Sequence, residues 1–339
     1  MDAADVVLVT GGSGYIGGWC VARLLNDGWR VRTTIRDLAR EAGVRCALAT
    51  IAPLEDKLSF AAADLEHDEG WAKAAIGCRY VLHVASPLGL DAPRNPQVLI
   101  RPARDGARRV LNAAISAGAE RVVMTSSVAA IAAGGRTGII DETSWTDPTV
   151  KGVSAYAQSK TLAERAAWDL IATSGGRTTL AVVNPVVVIG PVASADYSGS
   201  VDVISRLLRG SMRGIPNLGL GYVDVRDVAD LHLRAMLSPA AAGQRFIASS
   251  EFLWLGEVAA FLRERLGERA AKVPTVRLPD FLVRGVAVFN RPLSAIINRL
   301  SRRAEFSSAK AQSVLGWKPR PAREAILDCA ESLIRLRLV

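Results

Sequence analysis

The stretch Thr10-Gly11-Gly12-Ser13-Gly14-Tyr15-Ile16-Gly17 decides the fold of this 339-residue chain. It follows an apolar run from Val6 to Val9 and precedes a helix-like stretch from Trp19 to Asn26. This order predicts a strand, a glycine turn and a helix. Gly11 permits a tight turn, Gly14 lets a pyrophosphate approach the backbone, and Gly17 lets the helix pack closely on the strand. The sequence therefore predicts a dinucleotide site, with contacts from Gly11, Gly14, Tyr15, Ile16 and Gly17.

Apolar runs alternate with helical patterns along most of the chain. Strands are predicted near 5–9, 30–36, 58–61, 79–84, 121–126, 178–184 and 244–248, with helices between most of them, including long ones at about 95–117 and 154–172. Such alternation is typical of a parallel sheet that helices cover on both faces. The predicted fold class is α/β, with a Rossmann-type doubly wound parallel sheet.

The C-terminal third has a different pattern. Residues 191–221 are rich in Gly, Ser and Pro, and helices are predicted at about 254–266, 280–289, 308–315 and 322–336, without strong strand alternation. We expect a cofactor domain from residues 1–185 plus 223–248, and a smaller, mostly helical substrate domain from 186–222 plus 249–339. The second domain would sit at the carboxyl ends of the strands, where open α/β sheets bind ligands.

Composition argues against several other classes of protein. The net charge of +9 comes from basic residues scattered over many helices, and aromatic residues are only 6%, so no nucleic-acid surface is expected. The four cysteines stand singly, which predicts neither disulfides nor a metal site. No apolar run is long enough to span a membrane, and the acidic start lacks the features of a signal peptide. The expected location is the cytoplasm.

A candidate acid/base pair lies at the start of the helix predicted over 154–172. Tyr156 and Lys160 are four residues apart, which places them on one face of that helix. A phenol has a pKa of about 10, and an ammonium about 4 Å away contributes up to about 4 kcal/mol, which brings the phenol into a useful range. Thr125-Ser126-Ser127 ends the strand predicted near 121–126, beside the expected cofactor edge, and a serine hydroxyl there can hold a substrate carbonyl while Tyr156 supplies a proton.

Together these motifs resemble the extended short-chain dehydrogenase/reductases. The resemblance rests on T-G-G-S-G-Y-I-G at 10–17, Asp64-Leu65, T-S-S at 125–127 and Y-A-Q-S-K at 156–160. Within that superfamily, V-L-H-V-A-S-P at 81–87, Asn184-Pro185 and Y-V-D-V-R-D-V-A at 222–229 look like the dihydroflavonol reductase, cinnamoyl-CoA reductase and bacterial aldehyde reductase branch. The resemblance implies hydride transfer from a nicotinamide to a carbonyl group.

The resemblance also implies roles for individual residues. Tyr156 would be the general acid, Lys160 would hold the nicotinamide ribose and lower the tyrosine pKa, and Ser127 would orient the substrate oxygen. Asp64 and Leu65 match the pair that contacts adenine, and Pro185 matches the residue beside the nicotinamide. Further cofactor contacts are expected from Ala85, Thr125 and Val187. No metal is expected in the reaction.

The end of the second predicted strand bears on the choice of cofactor. An acidic residue there accepts a hydrogen bond from a free ribose 2′-hydroxyl, whereas an arginine accommodates a 2′-phosphate. Arg36 occupies the position where this branch usually has its arginine for NADP, and Arg40 one turn later would assist. Asp37 keeps NADH open as an alternative. NADPH is the expected cofactor.

Several positions depart from the motifs of individual relatives, and these departures narrow the range of expected activities. Gly106-Ala107-Arg108-Arg109 replaces a stretch in which many relatives carry an asparagine. Ala132 replaces an asparagine of plant flavonol reductases, and residues 150–156 lack the N-W-Y-C-Y motif of cinnamoyl-CoA reductases. Val128-Ala129 replaces the Asp-Glu pair of sugar-nucleotide dehydratases, so dehydration is not expected. His83 sits on a buried strand, where a structural role is the simpler interpretation.

The substrate is expected to be a small molecule that carries a carbonyl group. The predicted pocket wall is largely apolar, which favours a hydrophobic ketone or aldehyde. Its residues are Ser86, Leu88, Ile131, Val187, Tyr197 and Tyr222. An epimerase, a hydroxysteroid-type dehydrogenase and a non-catalytic redox sensor remain alternatives, although a sensor would not need Ser127, Tyr156 and Lys160 together. Either a monomer or a homodimer is compatible with the sequence.

Overall fold

A seven-stranded parallel sheet forms the centre of the protein. The computed structural model describes residues 6–87, 93, 95–133, 135–197, 199–287 and 297–339. The strands are β1 Val6–Thr10, β2 Arg30–Ile35, β3 Leu58–Ala62, β4 Cys78–His83, β5 Arg121–Thr125, β6 Gly138–Ile140, β7 Thr179–Pro185, β8 Val187–Ile189, β9 Ile215–Pro216, β10 Gly219–Asp224, β11 Gln244–Ala248, β12 Glu251–Trp254, β13 Arg277–Leu278 and β14 Ala304–Phe306. The helices are α1 Tyr15–Asn26, α2 Glu41–Ala49, α3 Trp71–Ala75, α4 Gln97–Ser116, α5 Ala155–Thr173, α6 Gly199–Leu208, α7 Val225–Leu237, α8 Leu255–Leu266, α9 Asp280–Ala287, α10 Ala309–Leu315 and α11 Ala322–Arg335.

The order of the central strands creates a crevice at the end of β1. The sheet runs β11-β7-β5-β4-β1-β2-β3, and every neighbouring pair is parallel. From β1 the chain builds outward through β2 and β3, then returns to place β4 on the other side of β1. Ligands of such sheets bind where the strand order reverses, at the carboxyl ends of the strands. The loops after β1 and β4 therefore border the expected cofactor site.

Helices cover both faces of this sheet. Val7 and Val9 belong to one core cluster, which includes residues of α1 and α7, whereas Leu8 belongs to another, which includes residues of α4 and α5. Side chains alternate between the two faces of a strand, and both faces of β1 are buried here. The predicted fold class and all seven predicted central strands are confirmed.

The C-terminal region combines helices with short strands. A three-stranded sheet of order β12-β10-β8 packs with α6, α8 and α11 around a separate core cluster. The sequence analysis did not predict β6, β8, β9, β10, β12, β13 or β14. All of these except the six-residue β10 have only two to four residues, too few for a period-two pattern to be recognised. The proposed domain boundaries remain a prediction.

One helix begins earlier than the sequence predicts, and another is described only in part. The first helix begins at Tyr15 rather than Trp19, because the backbone becomes helical directly after Gly14. The helix predicted at 280–289 is described as far as Ala287, and the rest of it lies outside the described residues. Within the described ranges, no helix is long and apolar enough to cross a membrane. The same part of the chain contains no cluster of His, Cys, Asp or Glu able to hold a metal ion.

Candidate active site

The glycine loop after β1 has the geometry that an anion site requires. Gly11 has a φ of +74°, and its carbonyl accepts a hydrogen bond from Gly14 N at 2.9 Å. A Cβ on Gly17 would lie 2.2 Å from the Gly11 carbonyl oxygen, so only glycine allows α1 to approach the turn this closely. Gly14 caps α1 without a side-chain hydrogen bond, and a Cβ there would meet only the Gly11 oxygen, at 3.3 Å. The helix terminus thus fits a pyrophosphate.

A groove of about 330 Å³ extends from this loop along the outer side of α1. The glycine loop, α2 and residues 192–197 line it. A hydrogen bond links α1 to the segment before residues 192–197: the Trp19 indole Nε1 donates to the Pro191 carbonyl at 3.1 Å. The groove does not include Ser127, Tyr156 or Lys160, so it borders the cofactor loop rather than the reacting groups.

The three charged residues after β2 differ in what they contact. Arg36 is exposed and has no hydrogen-bond or ion-pair partner among the residues that the structure describes. Asp37 is already engaged, because its carboxylate accepts from Ala39 N at 2.9 Å. Arg40 forms an exposed ion pair with Asp196 at 3.0 Å. Arg36 is therefore the group available to a 2′-phosphate, while Asp37 is occupied as a cap and Arg40 is paired across the groove.

Asp64 and Leu65 lie just beyond the carboxyl end of β3, next to the end of β2. The Asp64 carboxylate accepts from Glu66 N at 3.0 Å, which fixes the turn. Leu65 packs so tightly on α4 that a Cβ on Gly106 would lie 2.8 Å from its side chain. Both residues are half-buried at the same sheet edge as Arg36, where an adenine contact is geometrically reasonable.

The loop after β4 is fastened to the glycine loop. The Thr10 hydroxyl accepts from Val84 N at 3.1 Å and from Ala85 N at 3.0 Å, which occupies both of its lone pairs. It therefore donates its proton to His83 Nδ1, 2.9 Å away. Burial and the charge of Lys160 lower the pKa of His83 to about 3. His83 is a neutral structural residue, in agreement with the sequence interpretation, and Ala85 lies against Gly11.

Ser127, Tyr156 and Lys160 come together at the carboxyl ends of β4 and β5. Ser154 caps α5 by accepting a hydrogen bond from Ala157 N at 3.2 Å, so the helix begins at Ala155, directly before Tyr156. The Tyr156 hydroxyl is hydrogen-bonded to the Ser127 hydroxyl. Lys160 Nζ lies 5.9 Å from the centre of the Tyr156 ring. The three predicted catalytic residues thus form one contiguous group.

Burial controls the protonation of this group. It raises the pKa of Tyr156, and the hydrogen bond from Ser127 offsets only part of that effect. Burial also lowers the pKa of Lys160 to about 8, against the charge of Glu164, which raises it. The sequence analysis expected the ammonium to lower the tyrosine pKa, but the pKa of Tyr156 is raised, because burial of the phenol has the largest effect on it. Tyr156 is consequently held as a proton donor at neutral pH.

Three further predicted cofactor residues lie close to this group. The Thr125 hydroxyl faces α7, where it hydrogen-bonds His232 Nε2 at 2.7 Å, and His232 Nδ1 donates to the Val228 carbonyl at the same distance. Pro185 ends β7, and Val187 is half-buried on β8. The Thr125 side chain is thus committed to the packing of α7, and a cofactor contact of this residue would involve its backbone.

The predicted pocket residues are not all at the surface of a cleft. Ser86 is half-buried directly after β4, and the Tyr197 hydroxyl donates to Ser205 at 3.4 Å. Ile131 has no exposed surface, because it packs with Ile140 and Ile247 in a small core cluster. Tyr222 is also fully buried, and its hydroxyl has no hydrogen-bond partner among the described residues. Leu88 lies outside the described residues.

Four buried polar residues under the site were missed by the sequence analysis. Glu164 lies one turn after Lys160 and forms an ion pair at 2.6 Å with Arg245 on β11, while Ser126 and Asn184 donate hydrogen bonds to it. The spacing from Lys160 to Glu164 was a usable signal, because residues four apart share a helix face. Arg245 was a second usable signal, because this arginine directly precedes the apolar residues 246–248 of strand β11.

Comparison with known proteins finds similar sequences along most of the chain. The pattern of the NAD dependent epimerase/dehydratase family matches residues 7–248. The chain is 33% identical over 340 residues to a cinnamoyl-CoA reductase, CAD2, of Medicago truncatula, covering 98% of this chain and 96% of the relative. It is 34% identical over 270 residues to the dihydroflavonol 4-reductase of Zea mays, covering 77% of this chain and 74% of that protein.

Solved structures extend the similarity to the whole fold. The yeast methylglyoxal/isovaleraldehyde reductase Gre2, solved in complex with NADPH, superposes with a TM-score of 0.82 at 28% identity, covering 98% of this chain and 99% of that one. The family match spans most of the chain, including the glycine loop and the group around Tyr156. The protein therefore belongs to the NAD-dependent epimerase/dehydratase family, in the extended short-chain dehydrogenase/reductase branch that includes the cinnamoyl-CoA and dihydroflavonol reductases.

Proposed function

We propose that this protein is an NADPH-dependent reductase that converts a small or medium-sized hydrophobic ketone or aldehyde into an alcohol, reversibly. The observation that carries the proposal is the group of Ser127, Tyr156 and Lys160, assembled at the sheet edge that also bears the glycine loop. The reductase relatives support the same class of oxidoreductase, which acts on carbonyl groups.

The residues of the chain divide the reaction between them. NADPH, when bound, supplies the hydride that goes to the carbonyl carbon. The Tyr156 hydroxyl gives its proton to the carbonyl oxygen as negative charge develops there. Ser127 donates a hydrogen bond to the same oxygen and keeps it within reach of Tyr156. Lys160 stabilises the tyrosine after the proton has left. In the oxidation of an alcohol each of these transfers runs in reverse.

The residues present also fit NADPH as the cofactor. The N-terminus of α1 is uncapped by side chains and Gly14 leaves room for a pyrophosphate, while Arg36 is available to a 2′-phosphate. Two structural relatives, the yeast Gre2 and its Candida albicans counterpart, were solved with NADPH. NADH remains a possible weaker alternative, since Asp37 is adjacent to Arg36.

Replacing Arg36 tests this choice. We expect Arg36→Gln to raise the KM for NADPH roughly 10- to 100-fold, because a hydrogen-bonded charge pair contributes about 1.5–3 kcal/mol. The KM for NADH should change less than about threefold, since NADH has no 2′-phosphate. Steady-state kinetics with both cofactors measure this. Arg30→Gln is the matched control, because Arg30 is exposed at the opposite end of β2. An equal loss with both cofactors would contradict the role of Arg36.

The pH dependence of reduction tests the role of Lys160. Its pKa is about 8, so its charge is present below pH 8 and is lost as the pH rises through that value. We expect the rate of reduction to be level below pH 8 and to fall above it, roughly tenfold per pH unit, as the ammonium disappears. Lys160→Arg keeps its charge at every working pH, so its residual activity should lack this alkaline limb. A limb near pH 8 that persists in Lys160→Arg would assign the titration to another group.

The substrate class is tested by absorbance at the NADPH band. Aryl ketones, diketones, aldehydes and ketoesters form the panel, with a sugar nucleotide as the polar comparison. Turnover of apolar carbonyls supports the proposal. Tight NADPH binding without turnover of any carbonyl would contradict it and would direct attention to epimerase or sensor activity.

A further inference from the structure

A buried carboxylate lies directly behind the reacting residues. Glu164 has no exposed surface and is one helical turn after Lys160. Four donors converge on it: Ser126 Oγ at 2.5 Å, Asn184 Nδ2 at 2.9 Å, Arg245 Nε at 2.6 Å and, at the longer distance of 3.4 Å, Trp168 Nε1. A buried ion pair of this kind is weak evidence for stability, because desolvation offsets much of its attraction. Its position suggests a different role.

Two of the donors hold the backbone around Ser127. Ser126 precedes Ser127 directly, and its backbone N donates to the Val183 carbonyl at 2.8 Å. Asn184 follows Val183 on β7, and its Nδ2 also donates to the Ser127 carbonyl at 3.2 Å. Through these hydrogen bonds Glu164 connects the carboxyl ends of β5 and β7. A displacement of its carboxylate would shift Ser127 relative to Tyr156.

The third donor braces the turn that follows Ser127. Arg245 Nη1 donates to the carbonyls of Glu142 and Ser144 at 2.9 Å each, and the guanidinium lies 3.7 Å from the centre of the Trp145 ring. This loop leads to Thr146, whose hydroxyl donates to the Ala129 carbonyl at 2.8 Å. The Glu164–Arg245 pair is thereby connected to the chain both before and after Ser127.

Glu164 also sets the charge environment of Lys160. The groups around this ammonium are Glu164 on the same helix, the neutral His83 on β4 and the Tyr156 hydroxyl, while Arg245 stands behind Glu164. Burial lowers the pKa of Lys160, and Glu164 is the charge that raises it. Without Glu164, the buried ammonium would release its proton at a lower pH.

We propose that Glu164 is a positioning residue of the site: it holds Ser127 opposite Tyr156 through Ser126 and Asn184, and it carries its carboxylate one helical turn from Lys160. This inference rests on the proposed reductase function. Glu164 does not touch the substrate in this arrangement, and it acts entirely through neighbouring residues.

The test replaces Glu164 by Gln, which removes the charge and keeps the shape. We expect kcat for carbonyl reduction to fall roughly 10- to 100-fold, because a misplacement of about 1 Å costs up to about 100-fold, with little change in KM. The alkaline limb should move to lower pH by roughly one unit. A second readout uses the cofactor-free protein, in which NMR of the Lys160 Cε, assigned with Lys160→Arg, should show the same downward shift.

Matched variants separate positioning from general damage. Asp169→Asn removes one charge from the exposed side of the same helix and should change neither kcat nor the limb. Glu164→Asp restores the charge with a shorter reach, so the limb should return towards its original pH while kcat stays low. Should Glu164→Gln fail to fold, Ser126→Ala removes a single hydrogen bond and should lower kcat without moving the limb.

Two results would overturn the inference. One is a folded Glu164→Gln protein with the original kcat and limb. The other is a combination of two results: the pKa of Lys160 is the same in Glu164→Gln as in the unaltered protein, and kcat is the same in Ser126→Ala. Failure of the proposed function would look different, because the unaltered protein would then reduce no carbonyl, while the NMR titration of Lys160 would still report on Glu164.

Discussion

Tyr156→Phe is expected to lower kcat/KM for carbonyl reduction by roughly 10²–10⁴-fold, the usual contribution of a positioned general acid. The change removes only the hydroxyl that is hydrogen-bonded to Ser127, and the ring that lies near Lys160 remains. Affinity for NADPH should therefore change less than about threefold, and the free energy of unfolding by about 1 kcal/mol. Absorbance at the NADPH band and fluorescence titration measure the two effects separately.

Tyr80→Phe is the matched control for this experiment. Its hydroxyl donates to Glu120 at 3.3 Å, directly before the amino end of β5, and is not part of the group around Lys160. We expect kcat/KM for reduction to stay within about threefold of the original value. If Tyr156→Phe retains more than about a tenth of the activity, the proton comes from another group. The proposed chemistry, and not the family membership, would then be wrong.

Local patterns made the central sheet predictable. Strands β1, β4, β5 and β7 contain short apolar runs that are buried on both faces of the sheet, and Gly11 and Gly17 occupy positions where a Cβ meets backbone atoms. These constraints act within a few residues, so they leave a visible mark on the sequence. The group of Ser127, Tyr156 and Lys160 was predictable for a similar reason, because helical spacing and strand ends fix where side chains meet.

Long-range contacts were not predictable in the same way. The ion pair of Glu164 with Arg245 joins residues 81 positions apart, and that of Arg40 with Asp196 joins residues 156 positions apart. The direction in which the pKa of Tyr156 is shifted also could not be predicted from the sequence, because burial of the phenol is what raises it. Burial depends on how the whole chain packs, and the spacing of two residues carries no measure of it.

Gly17→Ala is expected to abolish tight NADPH binding while leaving the acid/base group intact. The added Cβ would lie 2.2 Å from the Gly11 carbonyl oxygen and 2.8 Å from its carbon, and both are backbone atoms that cannot rotate away. The helix α1 must therefore move off the glycine turn, which carries its N–H groups away from the pyrophosphate. We expect the Kd for NADPH to rise at least roughly 100-fold, or about 2.7 kcal/mol, and the free energy of unfolding to fall by about 1–3 kcal/mol.

Gly285→Ala is the control for this second prediction. Gly285 lies inside α9, and a Cβ there meets no described residue outside the helix within 4 Å, so the change should leave NADPH binding unaltered and stabilise the helix by up to about 1 kcal/mol. A folded Gly17→Ala protein with the original NADPH affinity would show that the cofactor does not use the N-terminus of α1. Because Tyr156→Phe should bind NADPH normally and Gly17→Ala should not, the two variants separate cofactor binding from proton transfer. Loss of activity in both, with loss of NADPH affinity only in Gly17→Ala, is the pattern that a reductase with this site must give.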